Sequence, residues 1–198
     1  MGNPLIIDLF VEDRAQEDFI KALVNRLAKE NHIEADIRIR SARGGHGRAL
    51  SELGLYQKSI IKGILPIPDA LVVAIDSNCQ RYMKAQSVIQ NSLDERFSGN
   101  TVIACPEPHI ERWYLADKIS FSQVIGFFPR LSRRKCEKDY YKNILSQSVI
   151  DAGHIPTLGG IEFAQELVAA MDLYRAGKEE KSLKVFIDNL NTFLKRGQ

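Results

Sequence analysis

Cysteine is scarce in this chain. Cys79, Cys105 and Cys136 form an odd set without paired spacing, so neither a disulfide scaffold nor a Cys-x-x-Cys zinc site is expected, and a reduced, cytoplasmic protein is the simplest reading. Long apolar runs are also missing. Uncharged stretches such as Ala70 to Ile75 and Ser120 to Pro129 fall far short of the ~20 residues of a membrane-spanning helix. Neither sign of charge dominates: 27 Lys and Arg against 25 Asp and Glu leave a net charge of +2, so a polyanion must be met by a local patch. Met1-Gly2-Asn3-Pro4 lacks the basic flank and cleavage site of an export signal, and Ile6 stands where an acylation motif needs Ser or Thr. What is present fits a folded core, with 44% hydrophobic and 26% charged residues in 198 positions, room for one domain or a domain with an appendage.

Leu5 to Val11 is a short apolar run rich in β-branched and aromatic residues, the mark of a strand covered on both faces. Asp13 follows as a helix cap, with Gln16 placed to reach back, and Phe19, Ile20, Leu23, Val24 and Leu27 recur at helical spacing to about Lys29. Ile33 to Ile39 alternates as a half-buried strand does. The glycine-rich stretch from Arg43 to Arg48 then precedes a second helix carried by Leu50, Leu53, Leu55, Ile60 and Ile61, which Pro66 and Pro68 end. Ala70 to Ile75 is the strongest strand and runs directly into Asp76-Ser77-Asn78. A helix from about Gln80 to Arg96 with Met83, Val88, Ile89 and Leu93 inward, a strand from Thr101 to Cys105, and a helix from about His109 to Asp117 complete the series.

Strands alternating with helices predict an α/β domain with a mainly parallel sheet over residues 1–118. Residues 119–198 contain no strong strand. Gly160 to Ala176 and Glu180 to Arg196 are periodic as helices, with a shorter helix expected within Arg130 to Ile150, so a helical C-terminal extension packed on the first domain is predicted.

Ligands of parallel α/β sheets bind beyond the carboxyl ends of the strands, which singles out the acids placed there. Glu12 ends the first strand, Asp76 and Asn78 the third, and Glu107 and Glu111 follow the fourth. Such an oxygen-rich set suits magnesium or manganese, and a hard cation neutralises a phosphodiester and acidifies its bound water. Each residue also has a plainer use: Glu12 can serve the helix dipole, Asp76 a turn, and Glu107 with Glu111 an ordinary helix surface. Trp113 and Leu115 are read as core anchors.

The segments Val11-Glu12-Asp13-Arg14-Ala15-Gln16-Glu17, Val73-Ala-Ile-Asp76-Ser77-Asn78 and Glu107-Pro-His-Ile-Glu111-Arg-Trp113-Tyr-Leu-Ala-Asp117 resemble the Toprim fold, the topoisomerase and primase domain shared by OLD-family nucleases. The likeness is closest to small stand-alone Toprim-like proteins of bacterial defence and mobile-element loci. It implies a general acid/base at Glu12 and a magnesium-holding acid at Asp76. The chain departs from the family pattern at Asp13, where glycine is usual, at Ala15, where a hydroxyl residue is usual, and at Asn78, where a second acid is usual. What the resemblance implies is a Mg2+- or Mn2+-dependent nuclease cutting DNA or RNA as an effector of anti-phage defence, with Glu12 and Asp76 catalytic and Glu12, Asp76, Asn78, Glu107 and Glu111 around the metal.

Three further features bear on partners. Arg43, His46 and Arg48 offer a phosphate cradle without the ending of a Walker loop, or a simple connection. Arg130, Arg133, Arg134 and Lys135, with Tyr140 and Tyr141 beyond, can track a nucleic-acid backbone and stack bases, or form a solvated face with the tyrosines packed inside. Cys79 stands beside the acidic loop as a candidate reactive thiol. A catalytically weak Toprim-fold subunit working through a protein partner, such as an ATPase of the same system, and a nucleotide-binding enzyme using the glycine-rich stretch are the alternatives. No membrane partner is expected, and the amphipathic tail leaves self-association open.

Overall fold

The N-terminal apolar run forms β1, Leu5–Val11, and its alternation divides the core. Ile7, Leu9 and Val11 enter one apolar cluster, while Phe10 enters a second cluster on the opposite face of the sheet. Burial on both faces explains why the strand reads as nearly unbroken hydrophobic sequence. In this computed structural model, which describes residues 3–42, 46–131, 136–137 and 139–196 and His46 through its backbone alone, β1 is joined by β2 (Ala35–Ser41), β3 (Ala70–Ala74) and β4 (Thr101–Ala104). The order is β2-β1-β3-β4 with every pair parallel. Val11 lies opposite both Ser41 and Ala74, and Ala74 opposite Ala104. The four strands therefore end level, and the residues that follow them share one rim of the sheet.

Helix α1, Arg14–Glu30, starts where expected: Asp13 Oδ1 accepts from the Gln16 N–H at 2.9 Å, and the predicted apolar stripe is buried. β2 begins two residues later than its alternation suggests, because the Ile33 N–H closes the end of α1 on the Ala28 carbonyl. Helix α2, His46–Ile61, takes up half of the expected glycine-rich connection and covers the second face through Ala49, Leu53, Tyr56 and Ile60. The single helix expected over 80–96 is instead α3, Tyr82–Asn91, and α4, Glu95–Ser98, divided where Asp94 caps the second of them. Ile89 points inward, but Met83 and Val88 are 65% and 43% exposed, contrary to expectation. After β4 the expected helix over 109–117 is only α5, Glu111–Tyr114, because Asp117 starts a new helix, α6, Lys118–Ile125.

The tail comprises α7 (Tyr140–Asp151), a 3-10 turn (Ile161–Phe163), α8 (Ala164–Ala170), α9 (Leu173–Glu179) and α10 (Lys181–Arg196). The helix expected over 160–176 breaks at Met171 because Asp172 caps α9, its Oδ1 accepting from the Arg175 N–H at 2.9 Å. Gly160, at φ +98°, is required there: a Cβ would stand 2.8 Å from Leu145 Cγ. Leu145, Leu167, Phe186 and Leu190 join the same cluster as β1 and α1, so the tail packs on the α1 face of the sheet. Trp113 is fully buried in that cluster and donates its indole N–H to Ser182 Oγ at 3.0 Å, which makes it the core anchor expected. Among the described residues no helix is long and apolar enough to cross a membrane.

Candidate active site

Glu12 and Asp76 meet at the common rim. The Asp76 backbone N–H donates to Glu12 Oε2 at 3.3 Å across a separation of 64 residues. The level strand ends bring this about, since one acid directly follows β1 and the other stands two residues beyond its neighbour β3. Gln16, fully buried on the first turn of α1, joins the two. Its Oε1 accepts from the Glu12 N–H at 2.9 Å, and its Nε2 donates to Asp76 Oδ1, also at 2.9 Å. On the other side, His109 Nδ1 lies 3.2 Å from Asp76 Oδ2. The loop after β3 is knitted to the segment after β4 by Ser77 N–H to the Pro106 carbonyl at 2.8 Å and Asn78 N–H to the Pro108 carbonyl at 3.2 Å.

The electrostatics of this cluster are those of a buried acid set among other acids, with a histidine beside it. Burial pushes the Asp76 carboxyl up to about 7; the hydrogen bond from His109 opposes the rise, and the charges of Glu12, Asp13 and Glu111 add to it. His109 is raised in turn, chiefly by its bond to Asp76. Burial also raises Glu111, against a bond from its own backbone N–H, with Asp13 adding to the rise. Asp76 and His109 titrate as a coupled pair, so the shifts belong to the pair more than to either residue. Ser77 Oγ, buried next to Asp76 in the chain, has no hydrogen-bond partner among the described residues.

The other predicted residues divide. Glu111 belongs to the acidic field at Asp76, whereas Glu107 Oε2 accepts from the Tyr82 N–H at 3.1 Å, at the start of α3. Asn78 is half-buried at φ +45°. Arg48 and Arg130 are exposed. Arg43, Arg133, Arg134, Lys135 and the His46 side chain lie outside the described residues. Tyr141 is buried, and its hydroxyl accepts from Arg112 Nη1 at 2.7 Å, so it belongs to the packed tail instead of a base-stacking surface. Cys79 is joined to Cys136 by a disulfide, which corrects the expectation of an unpaired, reduced set and of a free thiol beside Asp76.

Sequence reading missed two members of the site. Gln16 was legible only as a capping partner of Asp13, yet its side chain reaches Glu12 and Asp76. His109 carried a usable signal: it stands between Glu107 and Glu111 in the segment that follows a strand end.

Magnesium is commonly held by one or two carboxylates, with water and substrate oxygens completing its shell. Glu12 and Asp76 suit that donor chemistry, although no three His, Cys, Asp or Glu side chains converge as a cage among the described residues. Compared with known proteins, the chain matches no family model, no curated protein and no solved structure. What fold and site define is a class: a parallel α/β protein with an acid–histidine cluster at the carboxyl rim of its sheet.

Proposed function

We propose that the protein is a Toprim-like phosphodiester hydrolase, dependent on Mg2+ or Mn2+ and acting on DNA or RNA. The observation that supports this reading is the meeting of Glu12 and Asp76 at the strand ends, where the buried Asp76 carboxyl lies among the charges of Glu12, Asp13 and Glu111. These two carboxylates would hold the cation, with Asn78 and Glu111 at its margin. When bound, it would polarise the scissile phosphate and lower the pKa of a coordinated water. His109, turned to Asp76 through Nδ1, keeps Nε2 for taking or giving a proton. Gln16 fixes the Asp76 carboxylate and the Glu12 backbone, and Arg48 and Arg130 are available to phosphates from the surface. A role as an effector of anti-phage defence, alongside an ATPase of the same system, rests on the Toprim resemblance.

One observation favours the other reading, a Toprim-fold binding subunit of weak catalysis: both Asp76 oxygens are already engaged, by Gln16 and His109. A cleavage assay on single- and double-stranded DNA and RNA, with Mg2+ or Mn2+, separates the two. The hydrolase reading expects cleavage by the wild type and a loss of at least ~100-fold in Glu12→Gln and Asp76→Asn, as for groups acting in proton transfer or metal binding. A wild type that cuts none of these substrates would leave the subunit reading standing.

A further inference from the structure

The same rim carries a second chemistry, which the carboxylates do not use. Cys79, three residues after Asp76, is bonded to Cys136 across a separation of 57 residues, with Cα atoms 5.4 Å apart. Both residues are exposed. Cys105 is different: it is buried, and burial, with Asp76 and the neighbouring glutamates adding, pushes its thiol up to about 12. The turn that holds Cys79 is unusual as well. Asn78 and Cys79 are consecutive non-glycine residues at φ +45° and +69°, a conformation that persists only where the surroundings over-determine it. Three ties hold it, the Asn78 N–H on the Pro108 carbonyl, the Gln80 N–H on the Ser77 carbonyl at 3.1 Å, and the bond to Cys136.

We propose that Cys79 and Cys136 form a thiol–disulfide exchange site for low-molecular-weight thiols of the glutathione class, and that its state sets the rigidity of the turn next to Asp76. A glutathione thiolate attacks one of the exposed sulfurs, forming a mixed disulfide and releasing the other cysteine as a thiolate that takes up a proton. A second glutathione thiolate attacks the glutathione sulfur of that mixed disulfide and expels the remaining cysteine as a thiolate, which is protonated. The balance is one protein disulfide and two glutathione thiols giving two protein thiols and one glutathione disulfide, a two-electron transfer that runs in either direction. Cys105 takes no part, being inaccessible and weakly acidic. Opening the bond removes the covalent tie on the Asn78–Cys79 turn and leaves its two backbone hydrogen bonds. The site stands whether or not Glu12 and Asp76 hold a cation.

The test uses the full chain, equilibrated in glutathione buffers from fully oxidised to fully reduced, quenched with acid, alkylated and read by mass. Cys79 and Cys136 are expected to change state together across the series. A pair that stays alkylatable even in oxidised glutathione, or stays bonded even in excess reduced glutathione, overturns the exchange site. Amide hydrogen exchange on the two end states then tests the coupling to the turn. Reduction is expected to speed exchange at Asn78 by about tenfold, as for a locally opened amide. Equal rates in the two states overturn that coupling.

Discussion

Asp8 and Asp76 are both buried acids of the same sheet, one within β1 and one just past β3, and their surroundings set them apart. Asp8 Oδ2 accepts from the Tyr56 hydroxyl at 2.7 Å and from Arg40 Nε at 3.1 Å, although its Oδ1 has no partner among the described residues. The Tyr56 hydroxyl is raised far above its ordinary range by burial and by Asp8. Two further buried acids also face guanidinium groups: Asp117 pairs with Arg175, and Glu180 with Arg112. Burial by itself would raise the Asp117 carboxyl, but hydrogen bonds from Arg175, Ser120 and the Asp172 N–H outweigh it and hold the group at about 2. Asp76 receives an amide and an imidazole instead. The contrast teaches how to tell two kinds of buried carboxylate apart. One supplied with an arginine is an anchor of the fold; one given an amide and an imidazole among other carboxylates is poised for a proton or a cation.

The largest effect that would sharpen this contrast is at Asp8. Asp8→Ala strands Tyr56 and Arg40 and is expected to cost about 3–5 kcal/mol of stability in denaturant titrations, the usual consequence of breaking a buried charge pair; a cost below about 1 kcal/mol would erase the distinction. Asp117→Ala is expected to cost about 2–3 kcal/mol, because the N-cap of α6 and the tie to α9 go together. Asp76→Asn has the opposite sign: in chelator at pH 8 it is expected to gain about 2 kcal/mol, since the asparagine needs no counter-charge.

The pH dependence gives the finest test. Asp76 rises from 3.8 to about 7 on folding, so the native state keeps a proton that the unfolded chain gives up. Its contribution to stability is fully present below pH 4 and is lost as pH climbs through 7. His109 is raised chiefly by its bond to Asp76, so the two titrate as one pair and its share is not a separate one. Wild type and Asp76→Asn should therefore converge near pH 4 and separate up to about pH 7, with the gap level above it. Parallel curves would show that Asp76 has an ordinary environment.

Much of the fold was legible because its signals are local. The β1 run and the Asp13 cap with its apolar stripe appear in the structure as read. Helix ends were less legible: Asp94 and Asp172 each start a new helix inside a stretch whose apolar spacing continues past them, so periodicity alone runs two elements together, and the helix that Asp117 starts went unread. At the site, Glu12 and Asp76 could be found because strand ends fix where acids gather. Gln16, His109 and the Cys79–Cys136 bond depend on which side chains meet across 60, 33 and 57 positions, a matter of packing that no spacing rule encodes. Tyr141 shows the same limit, since its place was decided by Arg112 and the packed tail.

The most direct measurement is denaturation of wild type and Asp76→Asn at pH 7.5 in chelator and in rising Mn2+. A cation held by Asp76 and Glu12 must stabilise the folded wild type by mass action, by about 2.7 kcal/mol at a hundred times its dissociation constant, and must leave the variant almost unmoved. Equal shifts in the two proteins, or none in either, would contradict the assignment of this acid pair as a cation site.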